Sequence, residues 1–265
     1  MMHWILYKFL VWLELVIDRY QIGSLGKREA FISGLVGVAY KTNQDETFYI
    51  TPIKEISELR KISKNSKPPT LDSLDSYKKL IDLKKLDEEF KLDVRYASTN
   101  NFMRSKFYVN ERAFFNMSAA DRLIEAKNEL KELGYGIIIY DAYRPWFVTK
   151  MFWEGTPENL KHFVANPENG SSHNKGCAID IGLYDIETEE SIDMISGYDE
   201  FTERAYPNYM GGSKKQRDIR DMLIKVMEKN DFTVYEYEWW HFNYNKCDSG
   251  IMNYSFSELD SLNSV

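Results

Sequence analysis

The chain has 265 residues, 43% of them hydrophobic, and a formal net charge of -7. This length suits one large domain with a sizeable core, and the acidic balance argues against a nucleic-acid partner, because nucleic-acid-binding proteins usually carry a basic face. Two cysteines, Cys177 and Cys247, are too few for a disulfide scaffold. They could form one bridge, but two free buried thiols are the simpler prediction.

Residues 1–40 form an apolar N-terminal extension. Apolar residues at helical spacing between Leu6 and Ile17 predict a docked or membrane-surface amphipathic helix. A second apolar run at 30–40 has the length of a signal-peptide core but lies far from Met1. Because no uninterrupted apolar run approaches the roughly 20 residues of a membrane-spanning helix, we predict no stable transmembrane span. The compartment stays open between the cytoplasm and the cell envelope or periplasm.

Residues 41–75 are polar and contain the pair Pro68-Pro69, which favours an extended backbone. We predict a connector over this range. The main domain is predicted at 76–250, followed by a C-terminal tail at 251–265.

Helix and strand signals alternate within the main domain. Ser118 caps a predicted helix that runs to about residue 133 and stops at Gly134. A buried strand follows at residues 136–140, and Pro145 suits the first turn of a second helix.

A further helix and a strand are predicted in the C-terminal part of the main domain. Ser213 and Gln216 form a capping box for a helix that runs to about residue 230. Residues 232–244 are rich in aromatic and β-branched side chains and predict one strand. Because helices are grouped with short strands and lack a regular βαβ rhythm, we predict an α+β fold with a small, mostly antiparallel sheet flanked by helices.

A polar loop and an apolar run meet at residues 170–185. His173 lies in the loop, and Asp180 is a carboxylate inside the apolar run, where burial is costly unless the group is paired or binds a metal. Gly176 allows the chain to turn from loop into strand. On a straight strand His173 and Asp180 would point to opposite faces, so their convergence requires a bend.

Glu238 and His241 raise the same difficulty, since a spacing of three places them on opposite faces of a strand. Two imidazoles, a carboxylate and an open fourth position make a zinc site, and a further carboxylate beside it can act as a general base. The spacing alone is a weak signal, and packing or surface histidines are the alternative.

Five segments in order resemble a known family. SSHNKGCAID at 171–180 matches S-x-H-x-x-G-x-A-x-D, and EWWH at 238–241 matches the second zinc motif of the D-alanyl-D-alanine dipeptidase family, the VanX-like branch of the M15 zinc peptidases. DVRYASTNNF at 93–102, DAYRP at 141–145 and GYDEFTERA at 197–205 resemble its D-x-R-Y-A-T-x-N-F, D-x-Y-R-P and G-F-D-x-F segments. The resemblance covers about residues 80–245 and implies a hedgehog/DD-peptidase-like fold.

The resemblance implies one zinc ion per chain, bound by His173, Asp180 and His241. It implies that Glu238 is the catalytic base and that Arg144 stabilises the transition state. Without the resemblance, a surface salt bridge would be the default for Arg144.

The resemblance also implies a substrate-binding set. Asp199 corresponds to an acid that recognises the free ammonium of the substrate, although a solvated charge run is the alternative for its acidic loop. Pocket-lining positions correspond to Tyr96, Ser171 and Trp240. His3 and His162 are predicted not to bind metal.

The implied activity is zinc-dependent hydrolysis of D-Ala-D-Ala, or of a similar D-amino dipeptide, to free amino acids. Two alternatives remain. A peptidoglycan D,D-carboxypeptidase or L,D-endopeptidase would share the zinc site and differ in the pocket, and a non-catalytic binding protein would keep the fold alone.

Overall fold

The computed structural model describes residues 48–70 and 76–262. The extension predicted at 1–40 lies outside the described residues. Within the described ranges, no helix has both the length and the apolar character needed to cross a membrane.

A five-stranded sheet forms the centre of the molecule, and a two-stranded sheet lies beside it. The strands are β1 (Leu80–Asp82), β2 (Lys91–Leu92), β3 (Phe114–Asn116), β4 (Tyr135–Asp141), β5 (Ala178–Asp185), β6 (Phe232–Tyr235) and β7 (Glu238–Tyr244). The large sheet has the order β2-β4-β5-β7-β6, in which β2 and β4 are parallel and the other pairs antiparallel. The small sheet pairs β1 with β3. The predicted α+β fold with a mostly antiparallel sheet is confirmed.

Helices pack around these sheets. They are α1 (Ile56–Asn65), α2 (Leu83–Leu86), α3 (Met117–Glu132), α4 (Trp146–Gly155), α5 (Lys214–Lys229) and α6 (Phe256–Leu262). The capping box predicted for α5 is present, with Ser213 and Gln216 bonded reciprocally. Helix α4 begins directly after Pro145, as its fixed φ favours.

The cap of α3 differs from the prediction. The Asn116 side chain accepts hydrogen bonds from the backbone N–H groups of Ser118 and Ala119, so Asn116 caps the helix and Ser118 lies within it. Both residues favour the N-cap position. The tertiary structure decides between them, because β3 ends at Asn116 and the chain turns there.

The described part of the predicted connector folds against the main domain. Helix α1 packs on α4, with Leu59 fully buried, and the Ile53 N–H donates to the Gly155 carbonyl at 2.9 Å. Likewise, the predicted C-terminal tail contains α6 and places Phe256 in the core.

Residues 232–244 form a hairpin of β6 and β7, so the prediction of one strand is wrong. The turn is at residues 236–237. Its Glu-Tyr sequence lacks the glycine, asparagine or aspartate that usually marks a two-residue turn, which is why the aromatic pattern concealed it.

Cys177 and Cys247 form a disulfide, so the prediction of two free thiols is wrong. The Tyr244 N–H at the end of β7 donates to the Cys177 carbonyl at 2.8 Å. This pairing brings the segment after β7 beside the start of β5. The two cysteines are 70 residues apart in sequence, so no local pattern indicated that they would meet.

Candidate active site

His173 lies in a short 3-10 turn, Ser172–Lys175, that precedes β5. The Ser171 hydroxyl caps this turn by accepting a hydrogen bond from the His173 N–H at 3.2 Å. Gly176 ends the turn with a φ of 67°, a left-handed conformation that glycine adopts without strain. The turn supplies the bend that the convergence of His173 and Asp180 requires.

Strand register brings Asp180 and His241 together. They are directly opposite each other on the antiparallel strands β5 and β7, so their side chains share a face of the sheet. Asp141, at the end of β4, is opposite Asp180 on its other side. Three polar side chains therefore lie side by side across the middle of the sheet.

An irregularity in the hairpin brings Glu238 to the same place. Val234 pairs with Phe242, but the next residue, Tyr235, pairs with Glu238, where regular pairing would place His241. The extra residues on β7 break the alternation of side chains between the two faces. A Glu238 Oε2 atom consequently lies 3.7 Å from His241 Nδ1, although the spacing of three predicts divergence.

Three potential ligand atoms converge at this point. His173 Nε2 lies 3.1 Å from His241 Nδ1 and 3.3 Å from Asp180 Oδ1, and His241 Nδ1 lies 3.0 Å from Asp180 Oδ1. Ligands held about 2.0–2.1 Å from a tetrahedral zinc ion are about 3.3 Å apart. The triangle therefore has the dimensions of three corners of such a site, and all three residues are buried.

The outer nitrogen of each histidine has a fixed partner. His173 Nδ1 lies 2.6 Å from the Ala142 carbonyl, and His241 Nε2 lies 3.1 Å from Asn243 Oδ1. Both oxygens are acceptors, so these nitrogens carry the protons and the inner nitrogens present lone pairs.

The inner atoms accordingly form a group of acceptors without a donor among them. Within the described residues, Asp180 Oδ1 is buried and accepts no hydrogen bond, and a buried acceptor of this kind is costly. A divalent cation among the three atoms would satisfy all of them, so this chain's residues fit a zinc ion.

Burial and neighbouring charges shift the pKa values of Asp180 and Glu238. Burial by itself would raise the pKa of Asp180, but when His173 and His241 are protonated their positive charges outweigh burial and hold that pKa well below its ordinary value. Burial, opposed by His241 and supported by Asp180, raises the pKa of Glu238 to about 7. In the metal-free site the Glu238 carboxyl can therefore take up or release a proton near neutral pH.

Arg144 is buried, in contrast to the surface salt bridge that its type and position would suggest by default. Its Nε and Nη2 atoms both lie 2.8 Å from Asp141 Oδ2, and its guanidinium carbon lies 5.1 Å from the centre of the Tyr96 ring. The second Asp141 oxygen accepts a hydrogen bond from the Tyr108 hydroxyl at 2.8 Å. These contacts fix the guanidinium at the cavity wall.

Asp199 is buried as well, and so is not part of a solvated charge run. The Tyr96 hydroxyl donates to Asp199 Oδ1 at 3.0 Å, whereas Oδ2 is buried with no hydrogen-bond partner among the described residues. Burial, with the negative charges of Asp180 and Glu238, raises the pKa of Asp199 well above its ordinary value. A cationic group at Oδ2 would offset that cost.

These side chains surround one cavity of about 250 Å³. His173, Asp180, His241, Glu238, Arg144, Asp199, Tyr96 and Ser171 all line it, together with aromatic walls from Phe102, Phe152, Phe163, Phe201 and Tyr235. Trp240 is not among the lining residues. Its indole is buried and packs on the Tyr198 ring, with ring centres 5.4 Å apart.

The two other histidines stand apart from this group. His162 packs on Phe163 with ring centres 4.2 Å apart, and His3 lies outside the described residues. In the described ranges, the group of side chains that could hold a metal consists of His173, Asp180 and His241.

Sequence reasoning missed three residues that contact this group: Asp141, Tyr198 and Asn243. Asp141 and Tyr198 lie inside the quoted segments DAYRP and GYDEFTERA, which could have directed attention to them. For Asn243, the signal is its spacing of two from His241 on a strand, which places both side chains on one face.

A buried His-Asp-His triangle that faces a cavity, with a glutamate beside it, is the arrangement of a hydrolytic metal enzyme. A profile of the M15 peptidase family, described as D-ala-D-ala dipeptidase, matches residues 76–260. The D-alanyl-D-alanine dipeptidase of Enterococcus faecalis is 31% identical over 171 residues, or 57% of this chain and 83% of that protein. The enzymes of that name from Enterococcus faecium and Escherichia coli are 32% and 29% identical, each again covered over 83% of its length, with 57% and 62% of this chain aligned.

A solved LD-carboxypeptidase structure is more distant, at 20% identity and a TM-score of 0.35, with 50% of this chain and 61% of that chain covered. The family match does not depend on it. This chain belongs to the M15 peptidase family, and the protein is therefore a hydrolase.

Proposed function

We propose that the protein is a dipeptidase that uses one zinc ion per chain to hydrolyse D-Ala-D-Ala, or a similar D-amino dipeptide, to free amino acids. The observation that carries this proposal is the convergence of His173 Nε2, Asp180 Oδ1 and His241 Nδ1 beside Glu238. The names of the relatives supply the substrate class.

His173, Asp180 and His241 would hold the zinc ion, which supplies Lewis acidity and lowers the pKa of a coordinated water. Glu238 takes a proton from the attacking water and returns it to the leaving amine. The Arg144 guanidinium, held by Asp141, offers N–H donors to the developing oxyanion.

The roles of the substrate-binding residues follow from their positions. Asp199 Oδ2 would accept the free ammonium of the dipeptide, with Tyr96 holding the other carboxylate oxygen. Ser171 contacts substrate from the metal-bearing turn, whereas Trp240 acts indirectly by supporting the cavity wall.

The proposal is tested with the zinc-loaded protein on a panel of D,D- and L,D-dipeptides and their N-acylated forms. We expect release of D-alanine from free D-Ala-D-Ala and rejection of the blocked amine, with one zinc per chain by metal analysis. Efficient cleavage of the acylated peptide would indicate a carboxypeptidase or endopeptidase instead. Absence of both zinc and released D-alanine would favour a binding protein.

Asp199→Asn should lower kcat/KM for free D-Ala-D-Ala by about 100-fold, because removing one partner of a buried charge pair costs roughly 2–5 kcal/mol. Asparagine tolerates the positive φ of 57° at this position, so the backbone should persist. The measurement compares free and N-acetylated dipeptide, and the preference for the free amine should shrink. Glu203→Gln, an exposed acid in the same loop, is the matched control. Equal losses on both substrates would contradict the role of Asp199.

A further inference from the structure

The two carboxylate oxygens of Asp180 have different surroundings. Oδ1 faces His173 Nε2 and His241 Nδ1, whereas Oδ2 accepts a hydrogen bond from the Tyr198 hydroxyl at 2.9 Å. We propose that Tyr198 is a positioning residue of the metal site, whose hydroxyl holds the Asp180 carboxylate so that Oδ1 alone faces the metal position. This inference rests on the proposed zinc site.

Arg144 is the other donor near Asp180 Oδ2, but it cannot replace Tyr198. Its Nη2 atom lies 3.8 Å from Asp180 Oδ2, beyond hydrogen-bond range, while the same atom lies 2.8 Å from Asp141. Removal of the Tyr198 hydroxyl would therefore leave Oδ2 without a close donor among the described residues.

The proton of Tyr198 is committed to Asp180. The Tyr96 hydroxyl donates its own proton to Asp199, so its oxygen, 3.3 Å from the Tyr198 oxygen, is a second acceptor for the Tyr198 proton. A hydroxyl has one proton to donate, and the charged Asp180 oxygen, at 2.9 Å, is both the closer and the stronger acceptor.

The Tyr198 ring is fixed by its neighbours, as a positioning residue requires. Tyr140 packs on it at 4.8 Å between ring centres, and Trp240 packs on it at 5.4 Å. The next residue, Asp199, has a φ of 57°, so the chain turns there. The Tyr198 side chain consequently reaches the metal site while Asp199 lines the cavity.

Tyr198→Phe is a well-matched test, because phenylalanine fills the same space and removes the hydroxyl alone. We expect the zinc dissociation constant to rise about 10- to 100-fold, as for other partners of metal ligands, with excess zinc restoring activity. Competition with a chromophoric chelator measures the affinity.

Tyr140→Phe is the control, because its ring packs on Tyr198 but its hydroxyl lies against Gly182. Its zinc affinity and its metal-free thermal unfolding should equal those of the wild type. Metal-free Tyr198→Phe should unfold at a lower temperature than the wild type, because buried Asp180 Oδ2 loses its donor. If the wild type binds zinc and hydrolyses the dipeptide while Tyr198→Phe binds zinc equally well, the inference about Tyr198 is overturned and the proposed function stands. A wild type that binds no zinc would overturn both.

Discussion

Glu238→Gln should reduce kcat for D-Ala-D-Ala by about 10²- to 10⁴-fold, the usual contribution of general acid–base catalysis, while zinc stays bound. Glutamine keeps the size of the side chain but cannot accept the proton of the attacking water. The Glu238 carboxylate lies 3.7 Å from His241 Nδ1 and lines the cavity, so it is placed to act on a water beside the metal position.

The pH profile provides a second measurement on this variant. Burial raises the pKa of Glu238 to about 7 in the metal-free site, and a bound cation would lower it. In the proposed mechanism Glu238 acts as a base only when it is deprotonated, so wild-type activity should fall as the pH drops through its pKa. This acid limb should be missing from the residual activity of Glu238→Gln.

Glu236→Gln is the matched control, since Glu236 is an exposed acid in the adjacent turn. It should retain wild-type kinetics. A zinc-loaded Glu238→Gln or Glu238→Ala protein that cleaves D-Ala-D-Ala at nearly the wild-type rate would show that Glu238 is not the base.

Replacing both cysteines, with Cys177→Ala and Cys247→Ala, should lower the free energy of unfolding by roughly 4 kcal/mol, the chain-entropy value for a loop of this length. The disulfide spans 70 residues of sequence. It also secures the C-terminal segment across the turn that contains His173, where the Met252 N–H donates to the Asn174 carbonyl at 2.9 Å.

Urea unfolding of the metal-free proteins measures this effect without a contribution from zinc binding. Reductant should destabilise the wild type by a similar amount and leave the double variant unchanged, which separates the loss of the bridge from the loss of side-chain packing. Equal stability of the oxidised wild type and the double variant would contradict the expectation.

Several helices and strands could be predicted from short-range sequence patterns. The α5 capping box and the buried strand β4 depend on residues that are close in sequence. Both elements can therefore be predicted without knowing how the rest of the chain folds. The cap at Asn116 and the turn at residues 236–237 were missed because two good caps competed at one helix and because the turn lacked its usual residues.

The metal ligands were named from motifs, but their convergence depends on contacts distant in sequence. Periodicity predicted that Glu238 and His241 would diverge, and pairing with β6 removed that divergence through the extra residues on β7. Similarly, nothing local to Asp180 indicated that Tyr198 would hold one of its oxygens, since the two residues meet through packing of a separate loop.

The sequence by itself determined the family and supplied the candidate residues for the chemistry, because five short motifs occur together in the order that the family has. Tertiary structure decided whether those residues could act together, because strand register, the irregular hairpin and the disulfide are set by contacts between segments far apart in the chain. It also placed Asp199 in the wall of the cavity and Trp240 outside that wall, packed on Tyr198.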